Sequence, residues 1–361
     1  MSAAQTSTAH LTLRSPTEAA EARYQSSSKE HMTRGVWIEP AQDSLIKGEL
    51  ARWCDLSGEK RIKVPGYWYG KDRWSKEQAR SGETVFLALH GGGYAMGSAH
   101  STDFTSSVIQ GFLDACLAHT TALRRQTELG SEKVDLTLPT RGLSVEYRLS
   151  SAASLSGILC DALAGYVHLV NRCGFDPSRI VLVGDSAGAH LALMLSRYLQ
   201  DTGVYGMPRA MVLCSPWCDL SLSWYFDGHW ARINSRIDFL SDGLVTARDQ
   251  VLRGMPQSTV LGLYVSPVTK TKVNAGSGDH NVFKGFPPAF VVLGGRERFR
   301  DEIEEFARVY DASTAQVRLY EEGEGAHDFL ALRKLGFFKE EYNRTTAAAA
   351  QWLEETLTAK A

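Results

Sequence analysis

Gly184-Asp185-Ser186-Ala187-Gly188 places a serine between two glycines, directly after the apolar run RIVLVGD and directly before the helix-forming run AHLALMLSRYL. A strand that turns abruptly into a helix forces its central residue into a strained conformation, and flanking glycines remove side chains that would collide with the neighbouring strand and helix. Ser186 is thereby presented as a nucleophile. The second constellation, His90-Gly91-Gly92-Gly93-Tyr94, closes the apolar run TVFLALH. Three consecutive glycines allow backbone N–H groups to turn inward, so Gly91 and Gly92, with the Ala187 N–H, can donate to a developing oxyanion. Alone, the triplet also fits a tight turn or a phosphate cradle. The nucleotide patterns Gly-x-Gly-x-x-Gly and Gly-Lys-Ser/Thr are missing from it. Serine and glycine triplet together therefore point to acyl chemistry.

These residues need a scaffold that ends strands at one edge. From about residue 84 the chain alternates apolar runs with amphipathic ones, the pattern of a mostly parallel sheet flanked by helices, and the fold class is α/β. The expected strands are Thr84 to His90, Leu143 to Arg148, Arg179 to Asp185, Ala210 to Cys214, Ala289 to Gly294 and Gln316 to Tyr320. Helices are expected over Ser156 to Asn171, Ala187 to Gln200, Asp301 to Tyr310 and Glu340 to Thr358. Residues 215 to 288 separate two strands by far more than a crossover needs, and read as an inserted cap. Its aromatics Trp217, Trp224, Tyr225, Phe226 and Trp230, together with Tyr94, can line an apolar pocket or simply pack the cap. A glycine-rich run, Asn274 to Gly278, lies in the same insert. The polar stretch Thr120 to Pro139 lacks a sustained period and reads as a mobile surface excursion. The division is thus an amino-terminal segment over 1–59, partly disordered and able to join the cap, and a catalytic domain over 60–358.

Composition removes other classes. Thirty-nine Lys and Arg against forty-one Asp and Glu give a net charge of -2, so no cationic excess is available for nucleic-acid phosphates. No run reaches the roughly 18 uncharged apolar residues of a spanning helix, which argues against integral membrane association. The opening residues lack the apolar core of a secretory leader, so a cytoplasmic setting is expected. Six scattered cysteines (54, 116, 160, 173, 214 and 218) show no metal or disulfide spacing and read as buried thiols. No metal site is expected.

In chain order, HGGGY (90–94), VEYRL (145–149), GDSAG (184–188), SPWCDL (215–220), YVSPV (264–268), the RERFRDE stretch from Arg296 and GAHDF (325–329) resemble the hormone-sensitive-lipase-like branch of the α/β-hydrolase superfamily, over roughly residues 60–358. The resemblance implies an α/β-hydrolase fold with a cap and a triad in the order nucleophile, acid, histidine. It makes His327 the general base. The acid position, usually Asp in Asp-Pro-Leu-x-Asp-Glu, is here Glu297, followed by Arg298 in place of proline; Asp301 is the rival, at a helix amino terminus. The Ala-Pro-Glu expected after the Tyr-Arg-Leu strand is replaced by Ser150-Ser151-Ala152. The implied activity is hydrolysis of short- to medium-chain, aryl or metabolite esters through an acyl-enzyme, with no cofactor and a small-molecule ester as the sole implied partner. Amide, formamide or lactone cleavage on the same triad is the alternative, and a non-catalytic receptor a further one. The sequence displays no apolar rim of the kind a lipase presents to fat droplets, and it sets no oligomeric state.

Overall fold

A computed structural model describes residues 34–70, 77–127, 138–270, 282–313 and 316–359. The Asn274 to Gly278 run lies outside the described residues. Eight strands form one sheet: β1 (Arg34–Ile38), β2 (Val64–Gly70), β3 (Val85–Leu89), β4 (Arg141–Val145), β5 (Ile180–Asp185), β6 (Ala210–Cys214), β7 (Ala289–Gly294) and β8 (Val317–Glu322). Their spatial order is β1-β2-β4-β3-β5-β6-β7-β8. β2 runs antiparallel to both β1 and β4. All later neighbours pair in parallel.

The central strands are continuous apolar runs because helices cover both faces. Val85, Leu87 and Leu89 of β3 join one core cluster, while Phe86 and Ala88 join the other. That is the period-two alternation of a strand between two layers. Helices α1 (Ser106–Thr127) and α5 (Lys339–Thr358) supply Phe112, Leu113, Trp352 and Leu353 to the second cluster. Helices α2 (Leu155–Val167), α3 (Ala187–Thr202) and α4 (Arg300–Ala312) supply Ile158, Leu191, Leu195 and Phe306 to the first. α3 is buried along almost its whole length and stops at Gly203, whose φ of 58° closes a left-handed cap.

Two differences from the sequence pattern stand out. The polar stretch assigned to a surface excursion from Thr120 onward begins inside α1, which continues to Thr127; residues 128–137 lie outside the described residues. Polar residues on the solvent side of a long amphipathic helix erased the periodicity there. Secondly, β1 and a helix over Gly48–Ser57 come from the amino-terminal segment. β1 extends the sheet through five paired residues with β2. The helix carries the buried Trp53, edge-on to Tyr264 of the insert at 5.2 Å between centroids.

Residues between β6 and β7 form short helices over Ser223–Asp227, His229–Ile233, Gly243–Val251 and Gln257–Val260. Among the described residues no helix is long and apolar enough to cross a membrane.

Candidate active site

Ser186 sits at the turn from β5 into α3 with φ 49° and ψ −115°. For a residue with a Cβ this left-side φ is strained, a conformation costing about 1–3 kcal/mol that persists only where the surroundings over-determine it. Here the Ser186 N–H is held by the Cys214 carbonyl at 2.8 Å, and its own carbonyl accepts from His190 and Trp217. The flanking glycines are required by contact. A Cβ on Gly184 would stand 2.5 Å from the Gly188 backbone, and one on Gly188 would stand 2.0 Å from the Leu89 carbonyl oxygen.

The loop after β8 brings His327 to this turn. Its Nε2 lies 2.9 Å from Ser186 Oγ, and its Nδ1 lies 3.0 Å from Glu297 Oε2. Glu297, from the turn after β7, is fully buried, and its other oxygen accepts the Gly294 N–H at 2.8 Å. Ser186 is 5% exposed and His327 2%. Burial pushes the imidazole down to about 4 and the Glu297 carboxyl up to about 8. Both directions have one cause, the loss of water around a charge. Burial thus favours the neutral imidazole, with Nε2 able to accept the serine proton while Nδ1–H donates to Glu297 Oε2. Asp301 is elsewhere: its Oδ2 accepts the N–H groups of Trp230 (2.7 Å) and Ala231 (3.3 Å), capping the His229–Ile233 helix.

The glycine triplet requires a correction. The Gly91 N–H donates to Asp185 Oδ2 at 2.9 Å, so it is not available to an oxyanion. Gly92 and Gly93, with φ of 103° and 61°, carry the turn beyond it. Their N–H groups and that of Ala187 have no acceptor among the described residues. The loop N–H groups left without an acceptor among the described residues are thus one residue along from the expected Gly91. Sequence spacing could not locate this shift, because the acceptor that occupies Gly91 is the buried Asp185 beside the nucleophile. Asp185 and Asp328 both lie behind the loop, each with its Oδ2 close to Gly91. Burial and mutual repulsion raise Asp185 well above the usual carboxylate range, and burial raises Asp328 to about 7.

The aromatics expected around the pocket divide. Tyr94 is buried, and its hydroxyl donates to His190 Nδ1 at 2.6 Å while His190 Nε2 donates to the Val265 carbonyl at 3.1 Å. It braces the glycine loop. Trp217 is buried and stacked on Phe299, which meets His327 edge-on with centroids 4.8 Å apart. Trp224 donates its indole N–H to the Val268 carbonyl, under the Lys270 ammonium. Trp230 lies beneath the Arg300 guanidinium. Trp224 and Trp230 are thus engaged with the outer insert and α4 rather than with the serine or histidine. Besides the buried Phe299, the exposed ring of Phe239 also reaches the histidine, at 5.8 Å between centroids. It occurs in an unpatterned stretch, and only the folded insert brings it there. A separate cavity of about 810 Å³ lies between α1 and α5, lined by Gln110, Asp114, His119, Lys334 and Tyr342 among others. It holds none of the triad residues. No cluster of metal-ligating side chains occurs among the described residues.

A sheet of this order, a strained serine after β5, an acid after β7 and a histidine after β8 define one class of protein. A family profile described as alpha/beta hydrolase fold matches residues 136–331, and the chain belongs to that family. Over 229 residues it is 28% identical to an acetyl-hydrolase of Streptomyces hygroscopicus, covering 63% of this chain and 62% of that protein. It is 23% identical over 285 residues to the carboxylesterase NlhH of Mycobacterium tuberculosis, covering 77% and 74% of the two. Among solved structures, a thermostable esterase from Pseudomonas putida superposes with a TM-score of 0.64 at 18% identity, over 96% of this chain and 92% of that one. The chain therefore spans less than two thirds of the acetyl-hydrolase's length.

Proposed function

We propose that this protein is a serine carboxylic-ester hydrolase working through an acyl-enzyme. The observation that carries the reading is His327, bridging Ser186 Oγ at 2.9 Å and Glu297 Oε2 at 3.0 Å in a buried setting. Ser186 Oγ attacks the ester carbonyl carbon as its proton passes to His327 Nε2. Glu297 holds the imidazole by Nδ1–H and balances the imidazolium formed. The oxyanion accepts from the N–H groups of Gly92, Gly93 and Ala187, preorganised donors aimed at developing charge. Collapse expels the alcohol, which takes the proton from His327. Water then repeats the sequence on the acyl-enzyme, with His327 as base, and releases the acid and free Ser186.

The names of the relatives, acetyl-hydrolase and carboxylesterase, support the same reaction class. The residue 215–288 insert acts as the cap over this site. Six buried free thiols fit a reducing, cytoplasmic setting. A fluorophosphonate should label Ser186 stoichiometrically, and Ser186→Ala should abolish both labelling and turnover of a p-nitrophenyl ester in a folded protein. Labelling of a different serine would overturn the proposal.

A further inference from the structure

Phe239 lies against His327 and leaves 56% of its surface exposed. An aromatic side chain in contact with a buried general base yet still open to solvent is a wall of the reaction chamber. Which part of the substrate it faces follows from the chemistry. His327 Nε2 must return its proton to the leaving oxygen, so the alcohol part of an ester lies on the histidine side, away from the acyl carbon bound to Ser186. Met96, 58% exposed, has its side chain beside Gly92 and is a second exposed apolar residue next to the glycine loop.

The turn bearing Phe239 is fastened to the acid loop by Arg298. The Arg298 N–H donates to Asp238 Oδ2 at 2.7 Å. Its guanidinium donates to the Tyr225 hydroxyl at 2.5 Å and the Leu240 carbonyl at 3.1 Å, and lies 3.7 Å above the Tyr225 ring. Asn234 Nδ2 adds a bond to the Glu297 carbonyl at 2.9 Å. Both residues flanking Phe239 are therefore held by one arginine adjacent to the catalytic acid. The tie to Asp238 is made by the backbone N–H and the tie to Leu240 by guanidinium Nη1, so only the second depends on the side chain.

We infer that Phe239 is the specificity-determining residue for the alcohol part of the ester, selecting uncharged apolar alcohols, and that Arg298 is the positioning residue that latches its turn over His327. The inference rests on the ester-hydrolase reading. It is tested by kcat/KM for a series with a fixed acetyl group (methyl, butyl and benzyl acetate) and one with a fixed methanol (methyl acetate, butyrate and hexanoate). Phe239→Ala should lower the benzyl-to-methyl preference about tenfold, the factor for losing roughly 1.4 kcal/mol of ring contact. It should leave the hexanoate-to-acetate preference in place. Arg298→Ala, which keeps the backbone donor, should shift the alcohol preference in the same direction by about threefold. Combined with Phe239→Ala it should add nothing further, because both act through one element.

A shift confined to the acyl series would defeat the assignment of Phe239. A lowered Tm for Arg298→Ala with an unmoved alcohol preference would reduce Arg298 to a structural tie. Hydrogen exchange supplies a readout independent of turnover: Arg298→Ala should lose amide protection over 237–240 while β5 and β6 keep theirs, and unchanged protection there would defeat the latch. Absence of hydrolysis by the wild type across both series, with Ser186 unlabelled by a fluorophosphonate, would instead defeat the esterase reading.

Discussion

Glu297 and Asp301 are four residues apart, and each offers a carboxylate near an imidazole loop, yet they do different work. Glu297 faces His327 Nδ1, whereas Asp301 ties down two N–H groups of the insert. Glu297→Gln should therefore cost on the order of 10³ to 10⁴ in kcat, since an amide in that place stabilises the wrong tautomer and cannot balance the imidazolium. Asp301→Asn should cost far less at the catalytic step and show itself as a modest loss of Tm. A larger kcat loss for Asp301→Asn in a folded protein would reverse the assignment. Burial lowers the His327 imidazole to about 4, and only the neutral imidazole can take the serine proton. Glu297, raised to about 8 by burial, must be ionised to balance the imidazolium while the imidazole must stay neutral, so the acid limb belongs to the coupled pair and should not follow a solvated imidazole at 6.5. A pH profile of kcat/KM with an acid midpoint near 6.5 would contradict this. The same shift makes folding less favourable as pH falls from 6.5 towards 4, because the unfolded histidine gains a proton that the folded one refuses.

At the scale of elements, the β5-to-α3 turn is the part with the least tolerance. Gly188 lies where a Cβ would meet the Leu89 and His90 carbonyl oxygens, both on the strand that carries the glycine triplet. Backbone atoms cannot swing aside as a side-chain tip can. Gly188→Ala should therefore push β3 and α3 apart and destabilise the fold by about 1–3 kcal/mol, the usual range for overpacking. Activity should suffer more than stability, since Gly92 and Gly93 move with the end of β3. A variant with wild-type Tm and wild-type kcat would show that the close approach is absent in solution. The insert is coupled to the catalytic loops by polar contacts of a different kind: His190 ties Tyr94 to the Val265 carbonyl, and Arg298 ties the acid loop to the Asp238–Leu240 turn. These are directional bonds between loops, and amphipathic patterning carries no trace of them.

For the whole molecule, the enclosure of the site bears on substrate size. Ser186 is nearly inaccessible, while Phe226, Ile233, Ile237 and Phe239 expose about half or more of their surface on the insert. An apolar rim absent from the sequence pattern is thus assembled by folding. Dissolved short- and medium-chain esters should still be cleaved with higher kcat/KM than long-chain triglyceride emulsions, because a buried serine offers limited room to a long acyl chain. An optimum on emulsions would make the rim a lipid-contacting surface and shift the protein towards lipases.

The strands β3, β5, β6 and β7, the helix α3 and the serine turn were all legible from Thr84 onward, because continuous apolar runs bounded by glycine record burial on both faces of a sheet. Ser186 was singled out by its place at the end of such a run, whereas Glu297 and His327 were expected from the family resemblance, and the fold brings all three together. β1 was not, since Arg34–Ile38 is a short edge strand whose pairing with β2 depends on partners nearly thirty residues away. Nor was α1, for which no helix was expected and whose last residues, from Thr120, were read as a surface excursion because solvent-facing polar residues masked the helical period. The use of the Gly91 N–H by Asp185, the bracing role of Tyr94 and the arrival of Phe239 at His327 were decided by tertiary structure alone. Periodicity records which residues turn inward along one element. Which hydrogen-bond donor is already occupied, and which ring reaches the base, depends on distances between elements that only the folded chain establishes.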